Sequence, residues 1–379
     1  MSRPLAIVSG MIAGDPWQGG ATWAILQYAF GLERLGYEVA LIEPLADRHE
    51  APLAATDAVK YFDAHVRPLL PGAAAMLRVS TGECHGLDYG ALDALGSRAS
   101  LLLNVSGMLS LRAPFEHIPV RVYLDLDPAF NQLWHHVYGI DMRFEGHTHH
   151  VTVGALLGTA ECSIPTCGID WISTLPPIVL DRWPIARDVT RHALTTVGNW
   201  RSYGSAEFNG VVYGQKAHSM RDLLPLAARS RVPIAAALRI DKRETPDLDA
   251  LDAAGWSLLD PAVVAPDPMS YHSFVQGSYA ELGIAKAGYV SSHCGWFSDR
   301  SACYLASGRP VLAQDTGFVR KLPTGTGLLS FSSIDEALAG IDAIDARYRE
   351  HRVAAREIAV EYLDSDRVLA RLLNAVGAR

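Results

Sequence analysis

The chain has 379 residues, a net charge of −8, and a composition that is 49% hydrophobic and 20% charged. That is the profile of a globular protein long enough for two domains. No basic block offsets the acidic balance, which argues against a nucleic-acid partner, since such a partner requires a cationic face to release counterions. A phosphorylated small ligand needs only a few arginines and helix N-termini. The first ten residues lack a long apolar core and a small-residue cleavage site, and no run of about 18 uncharged apolar residues occurs. Cys84, Cys162, Cys167, Cys294 and Cys303 are sparse and odd in number. Reduced thiols in the cytoplasm are therefore expected, with neither a signal peptide nor a membrane span.

Leu5-Ala-Ile-Val-Ser9 predicts a buried parallel strand. A Gly/Pro loop, Gly10 to Gly20, leads into a helix capped by Thr22, carrying Trp23, Leu26, Tyr28, Phe30, Leu32 and Leu35, and ended by Gly36. Tyr37 to Ile42 is a second strand, completing a βαβ unit of nucleotide-binding type. Further strands are expected at Ser100–Val105, Arg121–Leu124 and His150–Val153. The proline-rich stretch from Ile164 to Trp183 reads as a linker. Beyond it, Leu194–Val197, Pro233–Ile240, Tyr289–Ser292 and Pro310–Gln314 are expected strands, with helices at Ser219–Ala228 and Ser298–Ala306. Ser333-Ile-Asp-Glu336 is a capping-box pattern, and Val368, Leu369, Leu372, Leu373 and Val376 mark a last helix. The renewed alternation predicts an α/β protein of two doubly wound, Rossmann-like domains facing across a cleft. Its expected parts are residues 1–185, residues 186–355, and a C-terminal helix, 356–379, packing back on the first domain.

Chemistry concentrates between His293 and Phe318. The reading is strand, glycine loop, helix, Gly-Arg-Pro turn, strand. Gly295 permits close backbone approach, and Ser298 can cap the helix whose free N–H groups suit a diphosphate. His293 or Arg300 can add charge-assisted hydrogen bonds. Asp299 is a candidate for ribose hydroxyls, and Gln314, Asp315, Thr316 and Gly317 for sugar hydroxyls. The competing reading is a packed βαβ unit with a polar cap.

His293-Cys-Gly-Trp-Phe-Ser298 followed by Gly308-Arg-Pro310 resembles the donor signature of the GT-B glycosyltransferases, in a bacterial form. The resemblance implies a nucleoside diphosphate sugar as co-substrate without a further cofactor or metal. It places His293, Gly295 and Ser298 at the diphosphate and Gln314 and Asp315 at the sugar, adds Trp296 as a donor candidate, and assigns residues 186–355 to the donor and 1–185 to the acceptor. Phe297 stands where the signature has Asn, Ser301 where it has the ribose Glu, and the Gly-x-Pro turn comes two residues late. Upstream, Val197-Gly-Asn-Trp-Arg201 and Tyr213-Gly-Gln-Lys216 match the Arg and Lys that clamp a diphosphate in retaining members. That makes Asn199, Arg201 and Lys216 donor candidates, with solvated loop residues as the alternative. Tyr271 and Phe274 are candidates for stacking near the base or for core packing.

Pro16-Trp-Gln-Gly-Gly20 resembles the loop that carries the base of inverting members, with Gly20 in the place of the His. Gly19 and Gly20 then suit close approach of a diphosphate or sugar, Trp17 the acceptor, and Asp15 a general base or a loop cap. In Glu145-Gly-His-Thr-His-His150, His147 is a second candidate base and Glu145 an acceptor contact. The histidines match no metal-ligand spacing. Asp125-Leu-Asp127 reads as a strand-end polar pair. The expected partners are thus a nucleotide sugar and a small natural-product or nucleoside-like acceptor, and a homodimer is compatible with the sequence. Two other readings compete. One is an NAD-dependent oxidoreductase, with Glu43 as the ribose carboxylate. The other is a nucleotide-sugar epimerase or binding protein of the same fold.

Overall fold

A computed structural model describes residues 3–45, 52–70 and 72–378; the extreme termini of the expected domain ranges lie outside these. The amino-terminal sheet has eight strands: β1 (Leu5–Ser9), β2 (Glu38–Leu45), β3 (Ala73–Arg78), β4 (Glu83–His85), β5 (Ala99–Val105), β6 (Val120–Asp125), β7 (His149–Thr152) and β8 (Trp171–Ser173). Their order is β4-β3-β2-β1-β5-β6-β7-β8, and every pair is parallel except β3 with β4. After it come β9 (Arg191–Asn199), a small hairpin of β10 (Ala206–Phe208) and β11 (Val211–Tyr213), then β12 (Ile234–Arg239), β13 (Ser257–Leu259), β14 (Ser278–Gly283), β15 (Val311–Gln314) and β16 (Leu328–Phe331). The second sheet, β13-β12-β9-β14-β15-β16, is wholly parallel. Each sheet starts at its centre and winds outward in both directions. The chain therefore reverses between β1 and β5 and again between β9 and β14, and crevices for ligands open at the carboxyl ends beside such reversals.

The fully buried β1 and the mostly buried β2 explain their continuous apolar runs. The helix between them runs Gly19–Arg34 with Gln18, not Thr22, at its N-cap. The Thr22 hydroxyl instead shares a 2.8 Å hydrogen bond with the buried Tyr61 hydroxyl. Gly36, at φ +94°, supplies the left-handed exit. Two expectations need correction. Tyr289–Ser292 is not a strand: it belongs to the helix Ala287–Ser292, and the strand is β14. That strand carries Glu281, fully buried against Arg300, and a charge inside a strand breaks the hydropathy pattern that would reveal it. The helix expected over Ser219–Ala228 is two short ones, Lys216–Asp222 and Leu226–Arg229. Pro225 separates them, because its ring cannot continue the helical ladder.

The C-terminal helix Ser365–Ala375 returns to the amino-terminal unit. Leu369 and Ser365 fill the space over Gly31, Arg34 pairs with Asp366 at 2.7 Å, and Asp364 bridges to Ile178. No helix among the described residues is long and apolar enough to cross a membrane.

Three contacts join the carboxyl ends of the two sheets. Leu156, just beyond β7, seats against Gly295 and Gly317, and its N–H donates to Cys294 O at 2.9 Å. Gly154 forms a β-bridge with Trp296. Asp127, beyond β6, accepts hydrogen bonds from the Tyr203 and Tyr289 hydroxyls and pairs with Lys286 at 3.1 Å. The Lys286 ammonium also lies 4.2 Å from the Tyr203 ring centre. Burial lowers the Lys286 pKa and Asp127 opposes that shift.

The pair is only partly buried, with side chains 19% and 23% accessible, so removing one partner costs less than in a fully buried pair, on the order of 1.5–3 kcal/mol for a charge-assisted hydrogen bond. Asp127→Asn is therefore expected to lower unfolding stability by that order. The double variant with Lys286→Met should recover much of the loss, as read from urea denaturation. Equal losses in the single and double variants would contradict the pairing.

Candidate functional site

The loop between β1 and its helix is held from below. The Glu43 carboxylate, fully buried in β2, accepts the N–H groups of Ile12, Ala13 and Gly14 at 2.7, 2.9 and 2.6 Å. Burial pushes its pKa up to about 7, and the three donors pull the other way. Glu43 is thus a loop anchor, and its oxygens are engaged beneath the loop rather than offered to a ribose. Among the described residues this removes the carboxylate on which a dinucleotide reading rests.

The loop tip faces the second sheet. Asp15 is bound on both oxygens, by Gln18 Nε2 and by Arg239 at 3.2 Å, so as a base it would first have to leave Arg239. Gln18 Oε1 accepts from Asn199 Nδ2 at 3.1 Å, at the end of β9. Trp17 is 46% exposed and holds φ +67°, a conformation uncommon for a bulky residue. Its ring lies edge-on to Tyr61 at 5.4 Å. Gly19 and Gly20 serve a different end from the one expected. A Cβ on Gly19 would overlap Asp267 O, and one on Gly20 would come within 2.8 Å of the Tyr271 ring. They allow the helix start to dock on the helix Pro268–Gly277, rather than leaving room for a ligand. Tyr271 and Phe274 are buried core residues, not exposed base-stacking rings.

Beneath the β9–β14 reversal lies a charge cluster. Glu281 is fully buried and pairs with Arg300, which also donates to Val197 O at 2.9 Å. Arg300 is therefore committed inside the fold rather than extended to a donor. Lys216 is buried beside it, with one hydrogen bond, to Ile284 O. Burial and then Arg300 hold its pKa well below the ordinary lysine range. A Cβ on Gly198 would touch Lys216 Cε at 3.4 Å and lie 3.9 Å from Arg300 Nη1. The Arg300 guanidinium, the Lys216 amine and one carboxylate thus lie under the end of β9. Arg201 is engaged elsewhere, in a 2.6 Å pair with Glu244.

In the segment His293–Gly317, Ser298 caps the helix Asp299–Ala306 through its Oγ, which accepts from Arg300 N. Burial raises the Asp299 carboxyl and Arg300 opposes that shift. Trp296 stacks on Tyr289 at 4.4 Å. Gly295 and Gly317, at φ +76° and +93°, leave room for Leu156: a Cβ on either would come within 2.8 Å of it. The His293 ring lies against Gly317 and makes no hydrogen bond among the described residues. Gln314 accepts from Ala285 N, Asp315 from Gly317 N, and Thr316 donates to Trp296 O.

His147 stands apart. Its Nδ1 faces Phe144 O and its Nε2 faces Asn104 Nδ2, and burial lowers its pKa to about 4. With both ring nitrogens occupied it does not stand ready as a base. Glu145 is exposed. No group of three or more His, Cys, Asp or Glu gathers as a metal site among the described residues, and all five cysteines are free. Asp125 is the buried strand-end acceptor expected, bonded to Asn131, Gln132 and Thr152. Sequence reasoning missed Glu281 and Lys286, whose partners lie 19 and 159 residues away.

Glu43 sets a pH dependence. Between the ordinary glutamate value and about 7 the folded chain holds a proton that the unfolded chain has lost, so stability falls as pH rises through that window. The span is on the order of 3 kcal/mol. Subtracting the stability–pH curve of Glu43→Gln from that of the parent should isolate this downward slope; parallel curves would exclude it.

No protein-family model and no curated protein matches the chain. Solved structures do. Anabaena HepE in complex with UDP and glucose superposes with a TM-score of 0.60 at 10% identity, over 100% of both chains. An alpha-glucosyltransferase in complex with UDP-glucose and abasic DNA gives 0.65 at 11% identity, over 99% of this chain and 100% of that one. A glycosyltransferase from Rickettsia africae ESF-5 gives 0.56 at 10% identity, over 99% and 98%. With both sheets doubly wound and their carboxyl ends opposed, the chain has the GT-B fold.

Proposed function

We propose that the chain is a metal-independent glycosyltransferase that moves a sugar from a nucleoside diphosphate sugar to a small natural-product or nucleoside-like acceptor. The observation that carries this reading is Lys216, buried beside Arg300 and Glu281 at the sheet reversal with only one of its three donors used. A leaving nucleoside diphosphate gains negative charge as the glycosidic bond breaks, and a fixed cation stabilises that charge more in the transition state than before it. Asn199 and Lys216 then face the diphosphate, and His293 with Gln314 to Gly317 the sugar. Trp17 and the exposed Glu145 serve the acceptor. Proteins of similar fold in complex with UDP and glucose or with UDP-glucose support this class of donor. One of those proteins was solved with DNA; the net charge of −8 favours a small acceptor here.

Four measurements test it. Incubation with a panel of nucleotide sugars should release nucleoside diphosphate only when an acceptor is present; silence across a broad panel would sink the transferase reading. Lys216→Met should weaken UDP binding roughly tenfold or more, the loss of one charge-assisted hydrogen bond. In the parent, the bound anion returns Lys216 towards its charged form, so binding takes up a proton and weakens as pH rises. Calorimetry in buffers of differing ionisation heat should detect that uptake in the parent and lose it in Lys216→Met. Trp17→Ala should raise the acceptor KM while leaving UDP affinity unchanged; an equal loss for both would remove Trp17 from the acceptor side.

A further inference from the structure

A second cavity, of about 410 Å³, lies outside the charge cluster just described. Its walls come mainly from three segments, with Ala155 and Tyr362 completing them. Ile172 to Leu175 leave β8, Lys321 follows the short turn Phe318–Arg320 of the carboxyl-terminal unit, and Val368, Arg371, Leu372 and Ala375 belong to the returning helix. The volume falls within the range of small-molecule pockets, which are mostly apolar with a few placed polar groups. Here Ile172, Leu175, Val368 and Leu372 supply the apolar part, and Ser173, Thr174 and Tyr362 the hydroxyls.

The charges single this cavity out. Lys321 and Arg371 both line it, and no acidic residue does. Neither side chain makes an ion pair or hydrogen bond among the described residues. Elsewhere on this acidic chain, exposed arginines are commonly paired: Arg98 with Glu38, Arg229 with Asp335, Arg243 with Asp241, and Arg320, next to Lys321, with Glu161. Two unpaired cations from separate segments, converging on one apolar-floored cavity without a carboxylate, match an occupant with a negative head and an apolar body.

We propose that this cavity is a second ligand site, distinct from the donor cleft, that takes a small amphipathic anion. Its occupant touches both sheet units and the helix that ties them. Ala155 forms part of its wall and precedes Leu156, the residue seated between Gly295 and Gly317. Binding therefore favours the closed arrangement of the two units, because a ligand stabilises the state that binds it.

The test uses the full chain and two fluorescent probes of similar shape, 8-anilinonaphthalene-1-sulfonate and the uncharged N-phenyl-1-naphthylamine. The sulfonate should bind saturably, and saturating UDP should leave it in place. Lys321→Gln combined with Arg371→Gln should weaken the sulfonate about tenfold while changing the uncharged probe less than twofold. Ala375→Trp, which fills the cavity from an exposed position, should weaken both. Sulfonate affinity unchanged in the double variant, displacement by UDP, or equal loss of both probes in the double variant would each overturn the proposal. If Ala375→Trp misfolds by circular dichroism, the double variant with its uncharged control decides alone.

Discussion

Two α/β units can share a ligand only if their backbones approach closely at the strand ends, and here that approach depends on residues without side chains. Gly19 and Gly20 let the first helix dock on the helix Pro268–Gly277. Gly295 and Gly317 admit Leu156 from the other side. A methyl group on Gly19, Gly20 or Gly295 would meet backbone or ring atoms of the other unit, and one on Gly317 would meet the Leu156 side chain and the His293 ring. Around these contacts the remaining interactions fall into place. The Asp127–Lys286 pair, the Gly154–Trp296 bridge and the returning C-terminal helix all act across a gap whose width the glycines determine.

The same glycines show why a glycine motif is ambiguous when read from sequence. A phosphate-binding loop and a close inter-unit contact both require a residue without Cβ, and a linear pattern does not say which neighbour comes near. In the segment His293–Phe318 the capped helix, the turn and the following strand were legible, because the Ser298 cap and the Gly308-Arg-Pro310 turn are local chemistry, whereas the element before the loop is a helix and not the expected strand. The segment's contact with Leu156 was not legible, because the partner lies some 140 residues upstream and is an ordinary apolar residue. The strands β1, β2, β5, β6 and β7 were legible from apolar runs. β14 was hidden by Glu281, and β3 by a run of alanines whose strand preference is weak.

Buried charges divide along the same line. Asp125 is satisfied mostly by neighbours within one strand–helix connection, Asn131 and Gln132, so its role as a strand-end acceptor could be read from the sequence. Glu281, Lys216, Arg300 and Lys286 are partnered across the sheets. Their meaning appears only once β9 and β14 are adjacent. The Arg–Lys clamp suggested by Arg201 and Lys216 is then recast: the arginine beside Lys216 is Arg300, reached through the sheet rather than along the chain. That arginine is itself committed to Glu281 and Val197 O inside the fold.

The contacts that close the cleft differ in strength. Asp15–Arg239 is largely exposed, with side chains 42% and 60% accessible, and pairs of that kind contribute about 0–1 kcal/mol. Gln18–Asn199 adds one neutral hydrogen bond, worth about 1 kcal/mol net. The opposite side is held by Leu156 among backbone atoms and by Asp127 with three donors, where separation would strip partly buried groups of several partners at once. Opening is therefore cheapest at the Asp15–Gln18 loop. Glu43 keeps the base of that loop fixed through Ile12, Ala13 and Gly14, so the movable part reduces to its tip, the segment that carries Trp17. Parting the units there breaks only the weak contacts and leaves the interface around Leu156 intact.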